Sequence, residues 1–208
     1  MNGIGTALDA LLSALFPPRC AACDARGAEP FCRVCRDAID PCGSVGRVDA
    51  DWAYAEFEYG GALAEAICRM KYGGRWEIAR PLGALMYRSV ALAPVTFDLV
   101  VPVPSTPERL RARGYNPARE LARAWGRDVR AGAARRRPGP AQVGRSRRER
   151  RSNLRGAFVA EPRLVRGRRV LVVDDVITTG ATASAMVDEL RRCGAVAVGI
   201  AALASASG

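Results

Sequence analysis

The thirteen residues from Val170 to Thr182, VLVVDDVITTGAT, constrain this chain more than any other stretch. Val170 to Val173 form a run of four apolar residues, three of them Val, which predicts a strand buried on both faces, as at the centre of a parallel sheet. Asp174 and Asp175 follow at its C-terminal end, where open α/β sheets hold their ligands. Thr178, Thr179, Gly180, Ala181 and Thr182 then make a short loop that runs into a helix. A helix N-terminus offers unpaired N–H groups and a partial positive charge, the threonines add hydroxyl donors, and glycine lets the backbone approach closely. Paired carboxylates above such a loop suit a ligand with hydroxyls at one end and a phosphate at the other. Ribose 5-phosphate has that layout. The plain alternative is an ordinary strand, turn and capped helix.

With 208 residues, 49% of them apolar, the chain can build one sizeable α/β core and a small appendage. No apolar run reaches the length of a membrane span, so the composition reads as that of a soluble chain. Ile4, Leu8, Leu11, Leu12 and Leu15 recur at helical spacing, with Asp9 among them and no basic segment before them. This predicts an amphipathic helix docked on the core rather than a signal peptide, with a membrane-surface or partner helix as the rival. Net charge is +11, and +9 of it lies in residues 127–155, where eleven arginines face only Asp128 and Glu149. Such a segment attracts phosphates, on a small ligand or on a nucleic-acid backbone. Lys71 is the chain's one lysine, and a compact ammonium there is either required or accidental. Histidine is absent, which excludes Ser-His-Asp and Cys-His nucleophilic chemistry.

Cys20 and Cys23, then Cys32 and Cys35, form two close pairs eight residues apart. Each pair can place two thiolates on one metal, and together they complete a tetrahedral four-sulfur zinc site. Disulfides or a thioredoxin-like redox motif are the rivals, although neither pair follows a buried strand. Cys42 reads as the remnant of a second knuckle, and Cys68 and Cys193 as core residues in apolar helical contexts. This cysteine usage predicts the reducing cytoplasm.

Residues 41–46 read as a linker. The pattern then predicts a strand over 52–59, helices over 62–72 and 76–91, and a buried strand from Phe97 to Val103 that ends in a rigid Pro-Val-Pro-Ser loop at 102–105. Asn116 and Pro117 mark a helix start. Residues 130–155, poor in apolar side chains, read as a mobile solvated loop. A short strand at Phe158, a helix through Ala183, Met186, Val187 and Leu190, and a strand from Val196 to Leu203 complete a right-handed βαβ unit.

The Val170–Thr182 run resembles the signature of the phosphoribosyltransferases, which bind phosphoribosyl pyrophosphate (PRPP). The resemblance implies that Asp174 and Asp175 contact the ribose 2- and 3-hydroxyls and that Thr178 to Thr182 wrap the 5-phosphate. Residues 16–203 as a whole resemble the ComF family of competence-linked phosphoribosyltransferase homologues. The matching pieces occur in order: Phe16-Pro17 before Cys20 and Cys23, Phe31-Cys32 and Cys35, Met70-Lys71-Tyr72, Val101-Pro102-Val103-Pro104, Arg113-Gly114-Tyr115-Asn116, Gln142, Glu149-Arg150, Asn153 and Phe158. The implied architecture is α/β: a type I phosphoribosyltransferase-like parallel sheet with flanking helices over 46–208, preceded by an N-terminal helix and small zinc-binding finger over 1–45.

With that ligand, Arg113, Lys71 and backbone donors near Ser105 suit the diphosphate, and Gln142, Arg150 and Asn153 lie on a segment that could close as a lid. For Arg113 the rival reading is a surface arginine, and for the segment a solvated basic loop. Magnesium would bridge diphosphate oxygens and ribose hydroxyls. The expected reaction displaces diphosphate from C1 of the ribose by a nitrogen nucleophile, with the protein positioning and stabilising charge. The alternative is a non-enzymatic accessory role, in which a PRPP-binding protein contacts single-stranded DNA or a competence helicase. The basic segment lacks the interleaved aromatics of a base-stacking platform. Acceptor, oligomeric state and the choice between competence and metabolism stay open at this level.

Overall fold

The computed structural model describes residues 17–45, 48–92, 95–125, 129–136 and 156–206. The expected N-terminal helix, and Gln142, Arg150 and Asn153 with the rest of 137–155, lie outside the described residues. The first cysteine pair precedes α1 (Arg33–Asp37), which starts after Cys32 and contains Cys35, and an edge strand follows, β1 (Pro41–Ser44). Then come β2 (Trp52–Glu58), α2 (Gly61–Tyr72), a 3₁₀ turn at Trp76–Ile78 and α3 (Ala79–Ala91). Next are β3 (Leu99–Pro102), α4 (Pro107–Arg113), α5 (Pro117–Arg123) and β4 (Ala134–Arg136). The chain ends through β5 (Phe158–Ala160), α6 (Pro162–Val165), β6 (Arg169–Ile177), α7 (Ala181–Arg192) and β7 (Ala197–Ser205).

The main sheet has five strands in the order β1-β2-β7-β6-β3, parallel except for antiparallel β1. β6 lies inside it, covered on both faces, which is why its sequence is continuously apolar. Val170 and Val172 pack in one cluster with Met186, Val187 and Leu190 of α7. Leu171 and Val173 pack in the other with Leu63, Ile67 and Met70 of α2, Leu82 and Met86 of α3, and Leu121 of α5. α3 and α5 meet closely at Gly83, where an added Cβ would stand 2.1 Å from the Leu121 carbonyl oxygen. The Trp125 indole N–H donates to the Gly83 carbonyl at 2.7 Å, locking that approach.

Four local expectations need correction. Pro41–Ser44, read as linker, pairs with β2 from Pro41 opposite Phe57 to Ser44 opposite Tyr54, because β2 would otherwise leave an open sheet edge. β3 starts at Leu99; Phe97 lies before it and caps Gly199, whose virtual Cβ would be 2.5 Å from the ring. Part of the expected 130–155 loop is ordered, with β4 paired antiparallel to β5. Cys68 is exposed, since α2 turns Leu63, Ala66, Ile67 and Met70 to the sheet and position 68 falls on the other side. α4 is an addition to the predicted elements, although its signal is present: Thr106 caps it, accepting the Arg109 N–H at 3.3 Å, and Pro107 opens it.

Candidate functional site

Strand alternation separates the two acids at the end of β6. Continuing the pattern of Val170 to Val173, Asp174 belongs to the α7 face and Asp175 to the face covered by α2. The Asp174 carboxylate accepts the Asp175 backbone N–H at 2.8 Å. Asp175 accepts from the Lys71 ammonium at 2.7 Å, across a separation of 104 residues. Lys71, expected on a diphosphate, therefore sits on one of the two acids. Burial, reinforced by the Asp175 charge, pushes the Asp174 carboxyl up from the ordinary 3.8 to about 7.

That shift has a measurable sign. The folded value lies above the unfolded one, so the stabilising contribution of Asp174 is complete below about pH 4 and is lost as pH rises through 7. Asp174→Asn should accordingly raise the melting temperature at pH 8 and leave it nearly unchanged at pH 4. Melts of the two proteins that run parallel at both pH values would contradict this environment for Asp174.

Beyond Ile177 the chain bends through Thr178 and Thr179, both exposed, to Gly180. Gly180 holds φ +74° as the residue before α7, a left-handed conformation that favours glycine. Its carbonyl accepts the Ser184 N–H at 2.8 Å, and Thr179 Oγ1 lies 3.4 Å from the Ala181 N–H. Ala181 and Thr182 form the first turn of this twelve-residue helix, so their N–H groups point back toward the acids' end of the strand.

The neighbouring strand brings the next expected pieces. Pro102 pairs with Val173, and the Val103 N–H donates to the Val173 carbonyl at 2.8 Å, so the loop holding Ser105 leaves beside Asp174. Asn116 ties α5 to this loop: its Nδ2 donates to the Val103 carbonyl at 2.9 Å while its Oδ1 accepts the Ala118 N–H at 3.0 Å. Arg113, at the end of α4, lays its guanidinium over the Tyr72 ring, 4.7 Å from the centroid. Residues 71–72 thus meet both the acid pair and Arg113. Tyr59 was missed as a site residue. It follows β2 directly, and burial, then Cys68, Tyr72 and Asp175, raise its hydroxyl pKa. Its position just past a parallel strand's C-terminal end was the available signal.

The four cysteines of the knuckles converge. The sulfurs of Cys20, Cys23, Cys32 and Cys35 all lie within 4.8 Å of one another, and Cys23 and Cys32 are 3.7 Å apart. No disulfide joins them. Four sulfurs each about 2.3 Å from a tetrahedral ion would stand about 3.8 Å apart, so this donor set could hold a metal ion such as zinc. Burial opposes ionisation of Cys20, but the backbone N–H groups of Cys23, Cys32 and Ala22 outweigh it and bring the thiol to about 6. Burial and the Cys23 and Cys32 sulfurs push Cys35 up to about 12. Asp24 joins this finger to the body, taking Arg19 at 2.6 Å and Arg75 at 2.7 Å. Among the described residues no helix is long and apolar enough to cross a membrane.

The Phosphoribosyl transferase domain family matches residues 111–207, from the last turn of α4 through β7. With the sheet order above, that match identifies a phosphoribosyltransferase-like domain in this chain. The chain is 30% identical to Competence protein F of Haemophilus influenzae over 195 residues, covering 85% of each. It is 32% identical to DNA utilization protein YhgH of Escherichia coli (strain K12) over 170 residues, 76% of this chain and 74% of that one. The chain belongs to the ComF family. Among solved structures it resembles glutamine PRPP amidotransferase from B. subtilis complexed with ADP and GMP, with 25% identity and a TM-score of 0.41. That likeness covers 60% of this chain and only 26% of the amidotransferase chain.

Proposed function

We propose that this protein binds PRPP with magnesium and acts as a phosphoribosyltransferase toward a nitrogen acceptor. The observation that carries this is the juxtaposition at one strand end: Asp174 and Asp175 lie among the last four residues of β6, and Gly180, three residues beyond its end at Ile177, opens the N-terminus of α7. In this reading the two carboxylates grip the ribose 2- and 3-hydroxyls. Thr178, Thr179, Gly180, Ala181 and Thr182 hold the 5-phosphate through hydroxyls and helix N–H groups. Arg113, Lys71 and the loop at Ser105 face the diphosphate, and Gln142, Arg150 and Asn153 are assigned to a covering segment. Magnesium would neutralise diphosphate charge as the bond to C1 breaks. The residues named contribute position and fixed charge, with no covalent step of their own. Zinc on the four cysteines is structural here, in keeping with a reducing cytoplasm.

Titration calorimetry with magnesium and PRPP tests the site. A dissociation constant of roughly micromolar order is expected, weakened at least about 100-fold in Asp174→Asn/Asp175→Asn, as befits the loss of two charged contacts. Unchanged affinity in that double variant would remove the assignment.

A second reading draws on the arginines of residues 127–155 and on the names DNA utilization protein and Competence protein F carried by relatives. In it, PRPP binding serves an accessory role and the basic segment contacts single-stranded DNA or a competence helicase. Diphosphate release with pooled nucleobases and amines distinguishes the two. Release supports the enzyme; no release, with DNA binding that falls steeply as salt is raised, supports the accessory role.

A further inference from the structure

Lys71 is the one lysine of a 208-residue chain whose other 31 side-chain cations are arginines, and it is joined to Asp175. The ammonium and carboxylate are 2.7 Å apart, and their side chains are only 17% and 15% exposed. Tyr59 and Asp174 lie near the same carboxylate, and among the described residues Lys71 is the cation paired with it.

We propose that the Lys71–Asp175 pair is a displaceable latch that selects ligands bearing a diphosphate: on binding, the ammonium passes from Asp175 to the diphosphate and frees the carboxylate for the ribose hydroxyls. The proposal rests on the PRPP reading of the site and adds a specificity device to it. Separating a shielded ion pair leaves two uncompensated charges unless both find new partners. A ligand with both a diol and a diphosphate supplies both, the hydroxyls and accompanying cation to Asp175 and the phosphate oxygens to Lys71. Ribose 5-phosphate supplies only the first. The latch therefore disfavours the hydrolysed sugar, which carries the same diol and the same 5-phosphate.

The side chain suits the task. Lysine carries three rotatable donors on a flexible four-carbon stem, whereas the planar fork of arginine would grip the carboxylate with two bonds. The next residue, Tyr72, lies under the guanidinium of Arg113, so the end of α2 adjoins the other cation assigned to the diphosphate. Lys71 is thus a positioning residue in the free site and a ligand contact in the bound one.

A single lysine makes the exchange directly observable. Protein grown with lysine labelled at Cε gives one side-chain resonance, which should move saturably with magnesium and PRPP. In calorimetry, Lys71→Met should weaken PRPP by about tenfold, the value of one charge-assisted contact, and tighten ribose 5-phosphate by about threefold through release of the latch. A merely structural role would weaken both ligands alike, and that outcome overturns the latch. So does an unmoved lysine resonance in protein that calorimetry shows to be saturated with PRPP, which leaves the PRPP site itself standing. Absence of PRPP binding to the native protein removes site and latch together. Should Lys71→Met fail to fold, the resonance of the native protein still decides.

Discussion

Cys35→Ser should lose its zinc and expose residues 17–39 to proteolysis, with elemental analysis falling from one zinc per chain to near none. The finger has little else to hold it: its buried apolar side chains among the described residues are Cys20, Ala21, Ala22 and Phe31, and α1 spans five residues with none buried. So small a segment cannot bury enough surface to order itself. Structural zinc supplies roughly 10–16 kcal/mol in small fingers, and a serine leaves only three thiolates for a site closed by four. The loss should spread inward, since Cys20, Ala21 and Phe31 share a cluster with Leu63, Met70 and Leu82 of α2 and α3, and Asp24 bridges to Arg75. Cys68→Ser, on the exposed side of α2, is the control and should keep both metal and protease resistance. Full zinc content in Cys35→Ser would show that the four sulfurs do not form one site.

Gly83→Ala should cost roughly 3 kcal/mol or more, an overpacking penalty at the upper end because the obstructing atoms are backbone. The new methyl would lie 2.1 Å from the Leu121 carbonyl oxygen, 2.9 Å from its carbon and 3.0 Å from its Cα. No rotamer change relieves that, so α3 and α5 must separate, straining the Trp125 bond to the Gly83 carbonyl. For a chain of this length the melting temperature should fall by about 6–12 °C. Gly132→Ala, where an added Cβ meets nothing within 4 Å, should change it little. Equal melting temperatures for the two variants would mean that α3 and α5 do not approach as described. Because α5 is tied through Asn116 to the loop after β3, the same variant should also weaken the PRPP binding proposed above beyond what unfolding explains.

Much of the candidate site could be read in order along the chain, since it depends on local grammar. Four apolar residues, two acids, hydroxyls and a glycine define a strand end and a helix start wherever they fold. The knuckle spacing of Cys20 with Cys23 and Cys32 with Cys35 is equally local. Errors arose where a residue's fate depends on a neighbour remote in sequence. Pro41–Ser44 has linker composition and becomes a strand because β2 offers it an edge. Cys68 lies in an apolar segment, yet the sheet meets the other side of its helix. Gly83 carries no local sign that Leu121 will press against it.

The amino-acid order alone therefore determined most of the main strands and helices, the acid pair, the hydroxyl-and-glycine loop and the four-thiolate motif, because short-range periodicity and side-chain chemistry decide those. Tertiary structure decided which of these pieces touch. Strand order β1-β2-β7-β6-β3 seats α2 over the face of β6 that carries Leu171 and Val173, and so delivers Lys71 to Asp175 across 104 residues. Contacts of that kind follow from how whole faces pack to bury apolar surface, a property of the assembled sheet that no window of sequence contains.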